Sequence, residues 1–456
     1  MSSMRGRYLL RVFFLAALAG CAIHPRGEKA ERERAEKEGE AFRKAFRERD
    51  LPALKADASW EEILRYAFLA NPDLENRYWE WRSALEEIPE EASPRTTAAF
   101  FLNHLLDGGS ATFWDRTTLA IGNDPMFNLP WPGKLATRGR IALEKARAAG
   151  LRFEKAKFDL QSSTLAAYFE WALRGELIRL QEANVSLFEV ITQAAEGRTR
   201  AGAGSQQDLL KARTERDLAQ NELQSLRSRL PGLRARINAL LSRAPEAPLS
   251  PPASLPAPRR LAYTEEELVG LIAERNPELA ALAREIQGKK DAILLARQEF
   301  IPEFGASAAT DLGGIAQSVA GMVTAPLFRF EALQAGIARA RAELRSTEAM
   351  RRQVQNDLQA RVVLDLHALR NAERQVALFE QVILPRAQEI VTTTRASYTT
   401  GQVPLVELLD SQRTLLEVRT MVAELRMERE KLLAEIEALA AVDVEGDPPS
   451  PPTPPT

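Results

Sequence analysis

The chain has 456 residues, 45% hydrophobic and 27% charged, with a formal net charge of −2. That is ample for a large core, and the near-neutral balance gives no electrostatic footprint for nucleic acid. A single cysteine excludes an internal disulfide, and His24, His104 and His367 lie far apart. No phosphate loop, nucleophile elbow or metal-ligand spacing stands out, so neither catalysis nor a metal site has residues to rest on.

The N-terminus places Arg5, Arg7 and Arg11 ahead of the apolar run Val12–Leu18, then Ala19, Gly20 and Cys21. A basic start, a short apolar run and small residues before a cleavage point are the pattern of an export signal. The run is too short for a membrane span, which needs about 20 apolar residues. Residues 1–20 are therefore read as a signal peptide. Leu18-Ala19-Gly20-Cys21 resembles a bacterial lipobox, which implies that Cys21, the only cysteine, becomes a lipidated N-terminus. Ala22 follows where lipoproteins kept in the inner membrane usually carry Asp, so the resemblance points to the outer membrane. Residues 21–58 are then a lipid anchor and charged tether, with 22–58 read as a solvated helix or flexible segment.

From residue 59 onward the chain is written twice. Asn71-Pro72-Asp73-Leu74 opens one copy and Asn276-Pro277-Glu278-Leu279 the other. Each Asn-Pro is a natural helix break, because the residue before proline avoids the α region. The first repeat covers 59–244 and the second 261–442. Each contains a stretch read as strand–turn–strand, about 94–135 and about 300–328. In the second copy Glu303–Leu312 and Ser318–Pro326 are the strands. The first copy lacks clean alternation, and Asn103-His104-Leu105-Leu106 reads as helical.

Long helical patterns follow. Ala136–Arg198 contains no proline, and at 1.5 Å per residue it would run roughly 90 Å. Glu331–Tyr398 matches it, with one break at Pro385. Leu173, Leu177, Leu180, Asn184, Leu187 and Ile191 step by four and three, as do Leu415, Val418, Val422, Leu425, Arg429, Leu432, Ile436 and Leu439. Such a spacing gives a seam that faces another helix. Each long helix reverses at a glycine, Gly202 or Gly401, giving coiled-coil hairpins at about 136–244 and 331–442. A Pro-rich linker spans 245–260, and 443–456 reads as a disordered Pro-rich tail.

This order resembles the TolC-type outer-membrane efflux proteins. The residues that carry the resemblance are the two Asn-Pro pairs, Pro132-Gly133-Lys134, Pro326-Leu327-Phe328, and Tyr398-Thr399-Thr400-Gly401 running into Leu408-Leu409-Asp410-Ser411-Gln412. Trp131-Pro132-Gly133-Lys134 is reminiscent of the branch that serves heavy-metal efflux. The fold expected is mainly α with a small β-barrel contribution: two tandem repeats of helix, β-hairpin and long helical hairpin. The resemblance implies a homotrimer with a periplasmic α-barrel and a 12-stranded outer-membrane β-barrel, four strands from each chain. It implies as partners a periplasmic adaptor, an inner-membrane pump and the outer membrane, with no nucleic acid and no cofactor beyond the lipid on Cys21.

The family carries acidic residues six and nine positions after the second turn glycine, lining the periplasmic entrance. Here these are Glu407 and Asp410, with Asp208 and Lys211 equivalent in the first copy. As plain residues, the two acids also read as first-turn carboxylates favoured by the helix dipole. The turn glycines Gly202, Gly204 and Gly401 are the adaptor-contact candidates, and turn geometry alone accounts for them too. The strands barely reach the 9–11 residues a membrane strand needs, so a short barrel, or one that does not fully span, is expected. The alternative function is a lipid-anchored periplasmic coiled-coil structural or adaptor protein without a channel. Two helical hairpins and little β structure favour the channel.

Overall fold

The computed structural model describes residues 23–95, 98–106, 112–123, 130–202, 204–313, 317–326 and 328–443. Cys21, the export signal and most of the Pro-rich tail lie outside them. In chain order the elements are α1 (Glu28–Glu38), α2 (Trp60–Ala70), α3 (Pro72–Ala92), β1 (Ala98–His104), β2 (Thr117–Asn123), α4 (Pro132–Arg200), α5 (Gln206–Leu240), α6 (Glu265–Arg275), α7 (Pro277–Gln298), β3 (Glu303–Asp311), β4 (Gln317–Thr324), α8 (Phe330–Leu378), α9 (Leu384–Thr399) and α10 (Leu405–Ala440). The fold is mainly helical with few strands. Two compact units share these elements. The first holds residues up to Glu40, Arg77–Phe153 and Glu278–Val354; the second holds Ala41–Asn76, Glu154–Pro277 and everything from Gln355 on.

In the first unit the four strands form one antiparallel sheet in the order β1-β2-β3-β4. Asn103 and His104, which read as helical, pair instead with Thr118 and Thr117 in the β1–β2 ladder. Cross-strand hydrogen bonds override the weak local propensity of a short polar–apolar run.

The segment after Cys21 also departs from its sequence reading. The charge run suggests a solvated tether, yet Glu28, Glu31 and Ala35 are buried. Ile23 N–H donates to Ala92 O at 3.2 Å, Arg32 Nη2 donates to Leu85 O at 2.9 Å, and the Arg34 guanidinium lies 5.3 Å from the Trp81 ring centroid. A charged helix docks where its acids meet arginines: Glu28 bonds Arg32 at 2.9 Å, and Glu31 bonds Arg34 at 3.4 Å. Burial pushes the Glu31 carboxyl up despite Arg34 and Arg147.

Trp81 is fully buried beside Phe153, and a Cβ added at Gly150 would stand 2.7 Å from its ring. Gly150→Val should therefore cost about 1–3 kcal/mol by overpacking. Gly232→Ala, where a Cβ meets nothing within 4 Å, should instead add about 0.8–1 kcal/mol through helix propensity. Urea midpoints followed by far-ultraviolet circular dichroism check both signs.

In the second unit the repeat is explicit in hydrogen bonds. Asn71 Nδ2 donates to Leu240 O at 3.0 Å, and Asn276 Nδ2 donates to Leu439 O at 2.9 Å. Each repeat-opening asparagine thus satisfies a carbonyl in the last turn of its own repeat's return helix, a group left orphaned by helix geometry. Capping boxes repeat as well: Ser59 with Glu62 opens α2, and Thr264 with Glu267 opens α6. The expected break at Pro385 takes the form of a π-helical turn, Phe379–Ile383, just ahead of it. A wider turn accommodates a proline that lacks an N–H and crowds the carbonyl four residues earlier.

The seam of α4 differs from the expected one. Ile178, Gln181, Val185, Phe188, Thr192 and Ala195 are buried; they also step by three and four. They face Leu209, Ala212, Ala219 and Leu223 of α5, with Gln181 Nε2 and Thr192 Oγ1 bonded to the carbonyls of Ala219 and Ala212. Of the expected set, Asn184 and Ile191 are buried, while Leu177 and Leu187 pack on the flank. An apolar face wider than 100° holds two such series, and spacing alone does not choose between them. On α10 the first three expected residues, Leu415, Val418 and Val422, are buried. Beyond them the buried line moves to Ala423, Met427, Glu430, Ala434 and Glu437. A straight helix drifts about 20° per heptad against a 3.5-residue repeat, which rotates the stripe by one position.

Candidate functional site

Three places carry the residues singled out in the sequence: the helical turns, the sheet, and the junction where the sheet passes into helix. At the first turn α4 ends at Arg200, and Gly202 adopts φ +74°. Ser205 then caps α5 by accepting from Asp208 N–H at 3.0 Å. At the second turn Gly401 adopts φ +75°. Both positive φ values require glycine, and a Cβ at either would meet open space. Gly204 differs: no left-handed φ is present, and a Cβ there would stand 3.0 Å from Arg198 Cβ. The two turns belong to one cluster. Arg198 Nη1 donates to Tyr398 O at 3.1 Å, and its guanidinium lies 5.0 Å from the Tyr398 ring centroid. Leu405, Leu408 and Leu409 share a core with Leu209 and Ala212.

Between α5 and α10, next to these turns, lies a groove of about 420 Å³ lined by Gln207, Leu210, Lys211, Thr214, Glu215, Val406, Leu409, Asp410 and Arg413. Arg413 Nη2 donates to Glu215 Oε1 at 2.7 Å. Glu215 holds the guanidinium above its ordinary range, with Asp410 adding to the effect. Asp410 therefore lines a groove that carries its own cations, Lys211 and Arg413. Glu407 stands exposed in the first turn of α10, its N–H bonded to Pro404 O at 3.2 Å. Asp208 is half-buried at the corresponding turn of α5. The three acids expected at the entrance thus differ in surroundings.

The sheet has two unlike faces. Register and alternation put Phe100, Leu102, Leu119, Ile121, Phe304, Ala306, Ala308, Val319 and Val323 on one face. The opposite face carries Asn103, Thr118, Ala120, Glu303, Gly305, Ser307, Ala309, Ser318 and Ala320, with Phe101 and Met322 its large apolar members. On the apolar face Phe100 is 72% exposed and Val319 86%. The alternation missing from the first copy as a sequence is present once pairing fixes the register.

At the junction the Trp131-Pro132-Gly133-Lys134 run divides between those faces. The Trp131 ring lies 6.4 Å from Phe304, on the apolar side. Lys134 is buried, and its Nζ reaches Glu303 at 3.3 Å, on the polar side, and Glu299 at 3.8 Å. Gly133 lets the indole lie close, since a Cβ would stand 3.0 Å from its Cδ1.

The model of the family "Outer membrane efflux protein" matches residues 127–242 and 268–442. The chain belongs to the outer membrane efflux protein family. Solved structures agree in fold. The outer-membrane channel OprN has 17% identity, a TM-score of 0.71, and a match covering 87% of this chain and 94% of that one. CusC has 17% identity and a TM-score of 0.72, covering 84% and 92%. VceC from Vibrio cholerae has 17% identity and a TM-score of 0.70, covering 84% and 96%. No curated protein matches. This outer membrane efflux protein is the outer-membrane channel component of an efflux system, with a periplasmic helical domain. Among its described residues no helix is long and apolar enough to cross a membrane; the apolar sheet face is the surface suited to lipid.

Sequence reasoning missed Arg259. It is buried in the second unit, with Nε 3.1 Å from Glu430 Oε2 and Nη1 2.9 Å from Glu437 Oε1. The signal was there: two glutamates seven residues apart on a face of α10 that spacing already marked as a seam. The inward Lys134 and the asparagine clamps were missed too.

Proposed function

We propose that three copies of this chain assemble into one channel that carries substrates from periplasm to exterior, working with a periplasmic adaptor and an inner-membrane pump. The observation that carries this reading is the sheet. It has one apolar face, and its edge strands β1 and β4 have no partner within the chain's sheet. Backbone groups in lipid must all be bonded, so such edges close only against other copies. Three chains of four strands make a 12-stranded barrel. The exposed flank of α4, with Leu173 and Leu180 beside the buried seam, is where neighbouring copies pack in the α-barrel.

In this reading residues 1–20 are the export signal and Cys21 carries lipid. Two residues of extended chain reach about 7 Å. Ile23, fixed to the end of α3, thus keeps the anchor close to the helix that leads into β1. Cys21→Ser should abolish palmitate incorporation without loss of fold, because no disulfide depends on it; label retained by the variant refutes the anchor. A single acyl chain holds weakly, and several hold firmly.

Glu407 and Asp410 are the entrance acids in this reading, Asp208 a third, and Gly202, Gly204 and Gly401 the turns that meet the adaptor. Threefold symmetry gathers six carboxylates from Glu407 and Asp410. Glu407 carries most of the cation attraction, since Asp410 has Arg413 and Lys211 beside it. Coulomb attraction at 4 Å is about 4 kcal/mol at an effective dielectric of about 20. Replacing both acids with Ala should remove block by multivalent cations and lower cation selectivity in single-channel recordings, with trimer stability kept. Unchanged block and selectivity would put the entrance elsewhere.

A further inference from the structure

We propose that Trp131, Phe328 and Phe330 form an aromatic collar that sits in the periplasmic-side phospholipid leaflet of the outer membrane. The proposal rests on the reading of the sheet as a membrane barrel, and adds where that barrel's lipid contact stops. The strands have 7 to 9 residues. At about 3.3 Å per residue and a tilt near 40°, they rise roughly 18–23 Å, against an apolar band of about 25 Å in outer-membrane barrels. Strands alone leave the band short at one end.

The shortfall falls where the chain leaves the sheet for α4 and α8. There three large rings stay open to solvent: Trp131 is 46% exposed, Phe328 fully exposed and Phe330 63% exposed. The patch is continuous with the apolar sheet face through the Trp131–Phe304 contact. Charge suits a phospholipid surface as well: Arg329, exposed, lies between Phe328 and Phe330 in sequence and offers a cation to phosphate. Aromatic rings with a basic neighbour favour the boundary between headgroups and acyl chains. The Trp-Pro-Gly-Lys run then has a physical role. It turns an indole outward to lipid and a lysine inward to Glu303, marking on each side the level at which barrel becomes helix.

Site-directed spin labelling of the full chain tests this in vesicles of phosphatidylethanolamine and phosphatidylglycerol. A Cys21→Ser background leaves one introduced thiol per variant. Phe328→Cys and Phe330→Cys report the collar, Leu102→Cys the middle of the apolar face, and Leu210→Cys the helical turn. The expected ratio of oxygen to nickel-complex collisions is highest at 102, several-fold lower at 210, and intermediate at 328 and 330. If 328 and 330 match 210 while 102 stays deep, the collar is wrong and the barrel stands. If 102 is itself as nickel-accessible as 210, the barrel reading fails and the collar with it.

Discussion

Arg259→Ala is expected to lower the stability of the folded chain by about 3–5 kcal/mol. The guanidinium donates to Glu430 and Glu437, its own backbone N–H donates to Glu430 Oε1 at 3.3 Å, and Nη2 reaches Glu430 O at 3.3 Å. Both carboxylate side chains are only 2% exposed. The Phe169 and Trp60 rings flank the cation at 5.8 and 6.0 Å. Truncation leaves Arg429, bonded to Glu430 at 2.5 Å, as the remaining close cation, and Glu437 loses its strongest partner. Burying a carboxylate without a partner is what makes the loss large; the intact cluster contributes much less, since desolvation offsets its Coulomb gain. Two controls follow. Arg259→Lys keeps charge but not the forked geometry and should fall between. Arg259→Met combined with Glu430→Leu and Glu437→Leu should regain most of the loss. Urea midpoints by circular dichroism decide it: an Arg259→Ala midpoint equal to the parent's rules out a structural role for the cluster.

Val319→Arg should block membrane assembly while Ser318→Arg, one residue earlier, should not. The two side chains point to opposite faces of β4. Val319 lies on the apolar face opposite Ala308 and is 86% exposed, so its surroundings in the barrel are lipid. Arginine near the bilayer midplane of an outer-membrane strand costs about 2–4 kcal/mol, and each assembly would carry three of them. Ser318 shares its face with Ser307, Thr118 and Asn103, where a charge remains in water. The readout is the fraction of chain recovered as oligomer in the outer-membrane fraction. Equal recovery for the two variants would mean that neither face meets lipid.

Much of the architecture could be read from particular residues. The two Asn-Pro pairs, the proline-free run before Gly202 and the glycines at the turns are local signals; backbone restriction acts wherever the chain goes. The seams were half legible. Leu415, Val418 and Val422 were found because a buried 3–4 series is visible as spacing. The buried line of α4 was misassigned because two adjacent stripes share that spacing. The first hairpin was obscure because its alternation resolves only once Phe100 pairs with Ile121 and Leu102 with Leu119. The docking of α1 was hidden by its charge: Glu28 and Glu31 read as solvent-facing, and only their arginine partners let them be buried. At the turns, residue types and spacing pointed to Glu407 and Asp410 alike. The cations beside Asp410 come from α5, about 200 residues earlier in sequence for Lys211, a distance at which one-dimensional reading sees no neighbour.

The central claim is that this chain makes a trimeric pore. The most direct measurement is current through a planar bilayer after addition of purified full-length protein whose mass in detergent has been determined by light scattering. The account predicts a mass of three chains and discrete current steps of uniform size. A monodisperse single chain that leaves the bilayer silent would contradict it.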